Sequence, residues 1–157
     1  TVGDVEGFVR KISIRATEIE TLDNQDMLIP NSELVSGRVT NWVLHNPYGR
    51  LIVKIGVAYG SDIEKVSKIL EETANEHEQV ISDGRASPPK ALFMAFGDSS
   101  LDFELRVRIV DIKKRYDVLS DLNFSINQKF ASEGIVIPFP QRDLHIKDWS
   151  EESKKKK

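Results

Sequence analysis

Glu18-Ile-Glu-Thr-Leu-Asp-Asn-Gln-Asp-Met-Leu-Ile-Pro-Asn-Ser32 is the stretch on which the fold turns. Ile19, Thr21 and Leu22 read as a strand with one buried face. Asp23-Asn24-Gln25-Asp26 supplies turn chemistry, since Asp and Asn tolerate tight bends and bond to their own main chain. Met27-Leu28-Ile29 is a short apolar run stopped by Pro30, which has no N–H to give to a ladder. Two strands about a polar turn make a hairpin. Asn31 and Ser32 are both good helix caps. They precede a short turn at Glu33-Leu34-Val35, and Gly37 to Trp42 reads as a further strand.

Toward the start of the chain, Val5, Gly7 and Val9 alternate with Glu6, Phe8 and Arg10, and Ile12, Ile14 and Ala16 continue the period of two. Gly7 inside a strand predicts a bulge or tight bend. Strands near 4–9, 11–21, 26–30, 37–43 and 48–58 predict a small all-β, Sm-like barrel over residues 1–50.

The second half has another rhythm. Leu51 to Ala58 is a strand. Ser61 with Glu64 forms a capping box, and Ile63, Val66, Ile69 and Leu70 give a helical apolar stripe. Asn75 to Pro89 is a polar connection, and Ala91 to Phe96 is a strand. Gly97-Asp98-Ser99-Ser100 turns back into the alternating strand Leu101 to Ile109. Val118, Leu119, Leu122, Ile126 and Phe130 form a second helical stripe, ended by Gly134. Ile135-Val136-Ile137 reads as the last strand. The order β-α-β-β-α-β over residues 51–141 is the ferredoxin-like arrangement, which makes the chain α+β. Leu144 and Ile146 alternate with His145 and Lys147, so residues 142–149 read as a separate short strand, and the charged 150–157 as a disordered tail.

Several segments taken together resemble the small-conductance mechanosensitive channel family. Ile14-Arg15-Ala16-Thr17, Ile29-Pro30-Asn31-Ser32 and Asn41-Trp42 resemble its β domain. Gly56-Val57-Ala58-Tyr59-Gly60-Ser61-Asp62 resembles the strand-to-helix turn that follows. Gly134-Ile135 through Ile137-Pro138-Phe139-Pro140-Gln141 resembles its near-terminal segment. The matches run in family order to about Lys147, and their details lie nearer the large, potassium-linked (MscK-like) branch. The resemblance implies a homo-heptamer whose β domains ring the base of a pore and whose α/β domains enclose a ported chamber. It implies a parent protein in the bacterial inner membrane, with this region in the cytoplasm, gated by tension during osmotic down-shock. The chain opens at Thr1, as expected of a piece that begins just after a pore helix. In the family, the turn matched by Asn31 and Ser32 lies near the pore helix and takes part in inactivation. Glycine is usual where Ser32 stands. The family also closes its terminal strands into a parallel barrel, which Leu144, His145, Ile146 and Lys147 would build, with Leu144 and Ile146 inward. From its place at the end of a strand, Trp42 is expected to pack at the domain interface. Arg50 opens the shared strand, facing a portal or a neighbour.

Composition narrows the alternatives. The chain has 157 residues, with 39% hydrophobic and 30% charged, ordinary values for a folded protein. Its net charge of −3 argues against a general nucleic-acid binder. Without cysteine there are no disulfides or thiolate metal sites. No apolar run approaches the roughly 20 residues that span a bilayer, and no signal peptide is visible. His45, His77 and His145 show no ligand spacing and read as solvated or partner-facing. Asp23 and Asp26 are too few oxygen ligands for a calcium loop. Ser99 and Ser100 have no candidate base near them in sequence. Gly56 and Gly60 lack the Gly-Lys-Ser/Thr of a phosphate loop. Gly3-Asp-Val-Glu-Gly-Phe-Val-Arg10 superficially resembles an acylphosphatase loop, but its arginine is off by one and it lies outside the β-α-β-β-α-β unit. No enzyme activity, cofactor or metal is therefore expected. A stand-alone binding module with Sm-like and ferredoxin-like domains is the alternative. For RNA, however, Phe103 alone does not make the paired aromatics of the common RNA-binding sheet.

Overall fold

Strands β1 (Gly7–Ile12), β2 (Ala16–Thr21) and β3 (Asp26–Pro30) form an antiparallel sheet in the order β1-β2-β3 in a computed structural model. The structure describes residues 1–44, 48–142 and 144. The chain divides into two units, Thr1–Pro47 and Tyr48–Lys157.

In the first unit β2 and β3 are the hairpin expected from residues 18–32. Its polar turn places Asn24 at φ 57°, the left-handed region that Asn tolerates. Ile19 and Ile29 are buried on one face, beside the buried hydroxyl of Thr17. The long strand expected over 11–21 is broken. Residues 13–15 form a turn closed by Ser13 N–H donating to Ala16 O at 2.9 Å, so Ile14 leaves the alternation and stands almost fully exposed. The bulge expected at Gly7 lies instead between Val9 and Lys11. Gly7 answers to a different need: a Cβ there would collide with the backbone of Glu20 on β2. The unit is not all-β, because Asn31–Ser36 is a short helix, α1. The strand expected at 37–43 is reduced to one bridge, Val2 with Val39. Among the described residues no further strand pairs with β1 or β3.

The second unit holds β4 (Gly49–Val57), α2 (Ile63–Asn75), β5 (Lys90–Phe96), β6 (Leu101–Ile109), a single 3-10 turn at Ile112–Lys114, and α3 (Arg115–Glu133). The antiparallel sheet has the order β4-β6-β5. Strict alternation on β6 buries Leu101, Phe103, Leu105, Val107 and Ile109 on one face. There they meet Val66 and Leu70 of α2 and Val118, Leu122, Ile126 and Phe130 of α3, a core of about two dozen side chains. Helix α2 begins one residue later than its sequence suggests: Asp62, not Ser61, caps it, accepting from Lys65 N–H at 3.0 Å. The polar connection after α2 is partly structural. Val80 and Ile81 are buried, and Ile81 N–H donates to Arg108 O at 2.8 Å. Gly134 ends α3 at φ 69°. The fourth strand expected at Ile135–Ile137 is not formed. That segment has no regular structure and is held by Ala58 N–H to Val136 O (2.8 Å) and by Ile135 N–H to Phe130 O (2.9 Å). The Ile135 N–H is taken by the end of α3, and Pro138 and Pro140 stop the segment from extending into a longer ladder.

Candidate functional site

The expected site residues fall in four places, and among the described residues the structure brings none of these together. Asn31 is the first residue of α1, yet it caps nothing: Pro30 stands at the N-cap position and makes no side-chain cap bond. The Asn31 amide reaches back to the β1–β2 turn instead. Its Nδ2 donates to Ser13 O at 2.9 Å and Ile14 O at 3.1 Å, and its Oδ1 accepts from Thr17 Oγ1 at 2.9 Å. Its backbone N–H donates to Arg15 O at 2.9 Å. One asparagine thus satisfies a buried hydroxyl and fixes the turn that displays Ile14. Ser32 is exposed, its carbonyl accepting from Ser36 Oγ at 2.8 Å.

Trp42 lies in the first unit, where Nε1–H donates to Thr1 Oγ1 at 3.1 Å and the residue is 48% exposed. Thr1 and Thr40 exchange backbone bonds of 2.8 and 2.9 Å beside it. Arg50 is on β4 in the second unit, exposed and directly opposite Arg108 of β6. Leu144 is exposed, and His145, Ile146 and Lys147 lie outside the described residues, as does the tail from 150.

Of the residues weighed for chemistry, His77, Ser99 and Ser100 have structural partners, while His45 and His145 lie outside the described residues. His77 is largely buried rather than solvated: Nδ1 accepts from Gln79 N–H at 3.1 Å, and Nε2 is 3.6 Å from Asp121 on α3. Ser100 donates to Asp102 Oδ1 at 2.7 Å, and Ser99 Oγ accepts from Gln141 N–H at 3.0 Å, tying the segment after α3 to the β5–β6 turn. Tyr59, which sequence reasoning passed over, fixes the same turn through its hydroxyl to Gly97 O at 2.6 Å. Two exposed ion pairs alter their own titration. The Arg10 side-chain bond lowers the Glu20 carboxyl, and the Arg85 backbone N–H, followed by its guanidinium, lowers Asp83. Among the described residues no three His, Asp or Glu side chains gather to hold a metal. No helix there is long and apolar enough to cross a membrane.

The arrangement offers positioning and surfaces, and similarity to known proteins agrees with it. A family model described as the beta-domain of mechanosensitive ion channels matches residues 1–44. A second, described as the C-terminal part of the mechanosensitive ion channel MscS, matches 51–137. An uncharacterized MscS family protein of Haemophilus influenzae is 40% identical over 148 residues, 94% of this chain and 13% of that protein. The mechanosensitive channel MscK of Escherichia coli is 40% identical over 146 residues, 93% of this chain and 13% of that protein. The chain thus spans a small part of these relatives. The crystal structure of Helicobacter pylori MscS in its closed state superposes with a TM-score of 0.84 at 28% identity, over 94% of this chain and 57% of that one. The chain belongs to the MscS family of mechanosensitive ion channels and carries the beta-domain and C-terminal segments of that family.

Proposed function

We propose that this chain is the cytoplasmic vestibule of a tension-gated channel and works as a homo-heptamer. The order of the family match carries this reading: beta-domain at 1–44, then the C-terminal segment at 51–137. The surface of the first unit supports assembly. Val9, Ile12, Ile14, Leu28 and Val35 are exposed in the single chain, while Thr17, Ile19 and Ile29 are its buried side chains among the described residues. A unit this small gains little from so few buried groups, and neighbouring copies that cover the rest stabilise it. Pairing at the outer edges of β1 and β3 removes exposed strand edges and closes the units into an Sm-like ring. In the second unit, Val136 beside the end of β4 takes the place of the fourth strand in a ferredoxin-like plan.

In this reading the first units ring the base of the pore, and the second units enclose a ported chamber. The chamber filters solutes on their way to the pore and supports the closed geometry. Tension on the membrane helices opens the channel and relieves osmotic down-shock. The parent protein resides in the bacterial inner membrane. Asn31 and Ser32 meet the pore helix, Trp42 packs at the domain interface, and Arg50 opens the shared strand there with its side chain toward a portal. Leu144, His145, Ile146 and Lys147 form the terminal parallel barrel. No covalent chemistry is involved. Patch recordings of the parent protein test the reading directly. Tension-activated currents and a sevenfold mass in detergent are expected, and a patch silent under tension up to rupture refutes it. In the same recordings Ser32→Trp is expected to change closing or inactivation, with the 157-residue chain still folding. Traces identical to the parent would remove Ser32 from the gating residues.

A further inference from the structure

The sheet of the second unit has one face under α2 and α3 and one face exposed, and the exposed face is basic at one end. Alternation along β4 puts Arg50, Ile52 and Lys54 on it. β6 contributes Arg108, Arg106 and Glu104, and β5 contributes Lys90 and Leu92. The register sets like charges against one another: Arg50 stands opposite Arg108, and Lys90 opposite Arg106. Lys54 stands opposite Glu104, but the Glu104 Oε2 is already held by Arg106, at 3.0 Å from Nε and 2.8 Å from Nη2. Asp102, farther along the face, is engaged by Ser100. Among the described residues Arg50, Arg108 and Lys90 have no carboxylate within ion-pair distance, and all three are exposed.

Like charges directly opposite on neighbouring strands destabilise a sheet. Here four cations occupy two adjacent cross-strand rows in a chain whose net charge is −3. An isolated exposed ion pair is weak in water, so a singly charged anion gains little from this face. An anion with several linked charges meets several cations at once. Arginine favours phosphate in particular, because its planar fork matches two phosphate oxygens. Opposite residues on paired strands stand about 5 Å apart at Cβ and diagonal neighbours about 7–8 Å. One phosphate could therefore reach both Arg50 and Arg108, and a second linked to it would be needed to reach Lys90 and Arg106. We propose that the open face of the β4-β6-β5 sheet, at Arg50, Arg108, Arg106 and Lys90, binds a soluble anion with two or more linked phosphates.

Titration calorimetry on the 157-residue chain with sodium tripolyphosphate tests this, with sodium sulfate at matched ionic strength as the comparison. One tripolyphosphate per face is expected, with sulfate far weaker. Arg108→Gln and Lys90→Gln should each weaken binding about fivefold, the upper range for an exposed ion pair. Lys68→Gln, a cation on α2 beside Glu72, should leave binding unchanged. Arg108→Glu gives a second and opposite readout. It sets unlike charges at Arg50, so the melting temperature without ligand should hold or rise, while stabilisation by tripolyphosphate disappears. Equal binding of sulfate and tripolyphosphate overturns the proposal. So does an equal loss of affinity in Lys68→Gln and Arg108→Gln, which would mean that net charge alone is being read.

Discussion

Asn31 shows how much one side chain can organise. Its amide satisfies two turn carbonyls and the buried Thr17 hydroxyl, all from the first turn of α1. Asn31→Ala leaves that hydroxyl without its partner and is expected to cost about 1–3 kcal/mol. Hydrogen exchange reads the effect locally: amides of residues 12–17 should lose protection while the second unit keeps its own. Equal protection in parent and variant would mean that the turn is fixed by its backbone bond alone. Asp83 offers a pH-dependent test. Arg85 holds its carboxyl below the ordinary value of 3.8 through the backbone N–H at 3.2 Å and Nε at 2.7 Å. The folded value lies below the unfolded one. The pair therefore contributes its stability in full above 3.8 and loses it as pH falls through the lowered value. The melting-temperature gap between the parent and Asp83→Asn is expected to shrink to nothing in strong acid and to be constant near neutrality. A gap that persists unchanged in strong acid would show that the carboxylate charge contributes nothing. Neither role was legible in the sequence. Asn31 sits where a cap is expected, and its true partners lie 14 to 18 residues away.

At the scale of elements, sequence periodicity served wherever one face of a long element meets a core. The alternation of Leu101 to Ile109 is buried as expected, and so is the stripe from Val118 to Phe130 apart from the half-buried Leu119, because tertiary packing and local pattern agree there. It misled where backbone bonds outrank side-chain pattern. Ile12, Ile14 and Ala16 have the period of a strand, but the Asn31 clamp makes a turn of the middle residue. Ile135-Val136-Ile137 is apolar enough for a strand, but the Ile135 N–H closes the end of α3 and the prolines that follow bar any extension. The outer side of α3 is apolar too, which a single stripe does not reveal: Phe124 is 74% exposed, while Leu122, two residues earlier, is fully buried. Denaturant unfolding should separate the two faces. Leu122→Ala is expected to cost about 2–5 kcal/mol by opening a core cavity. Phe124→Ala should stay within about 0.5 kcal/mol in the dissociated chain. A comparable loss in both would mean that Phe124 is packed within the single chain.

For the whole molecule, the decisive segment begins where the second unit has finished folding. Its core residues lie between Leu51 and Phe130, and the chain after Gly134 is held as far as Gln141 by the bond to Ser99 Oγ. Among the described residues that core includes none beyond 141, so truncation after Gln141 is expected to leave the melting transition of the unit in place. The sequence beyond has the period of a strand, with Leu144 and Ile146 alternating with His145 and Lys147. A lone strand carries two unpaired edges, and a parallel barrel of seven copies would remove both. Leu144 and Ile146 facing inward would stack apolar side chains about the axis. The opposite choice would bring seven Lys147 charges together in a confined space, which disfavours the charged form. Light scattering on the full and truncated chains tests whether this barrel holds the ring. The full chain is expected as a heptamer, and the truncated one as smaller species that reassemble only at higher concentration. A truncated chain that stays heptameric on dilution as long as the full one would transfer the work of assembly to the first unit, to the exposed Val9, Ile12 and Leu28 and the edges of β1 and β3.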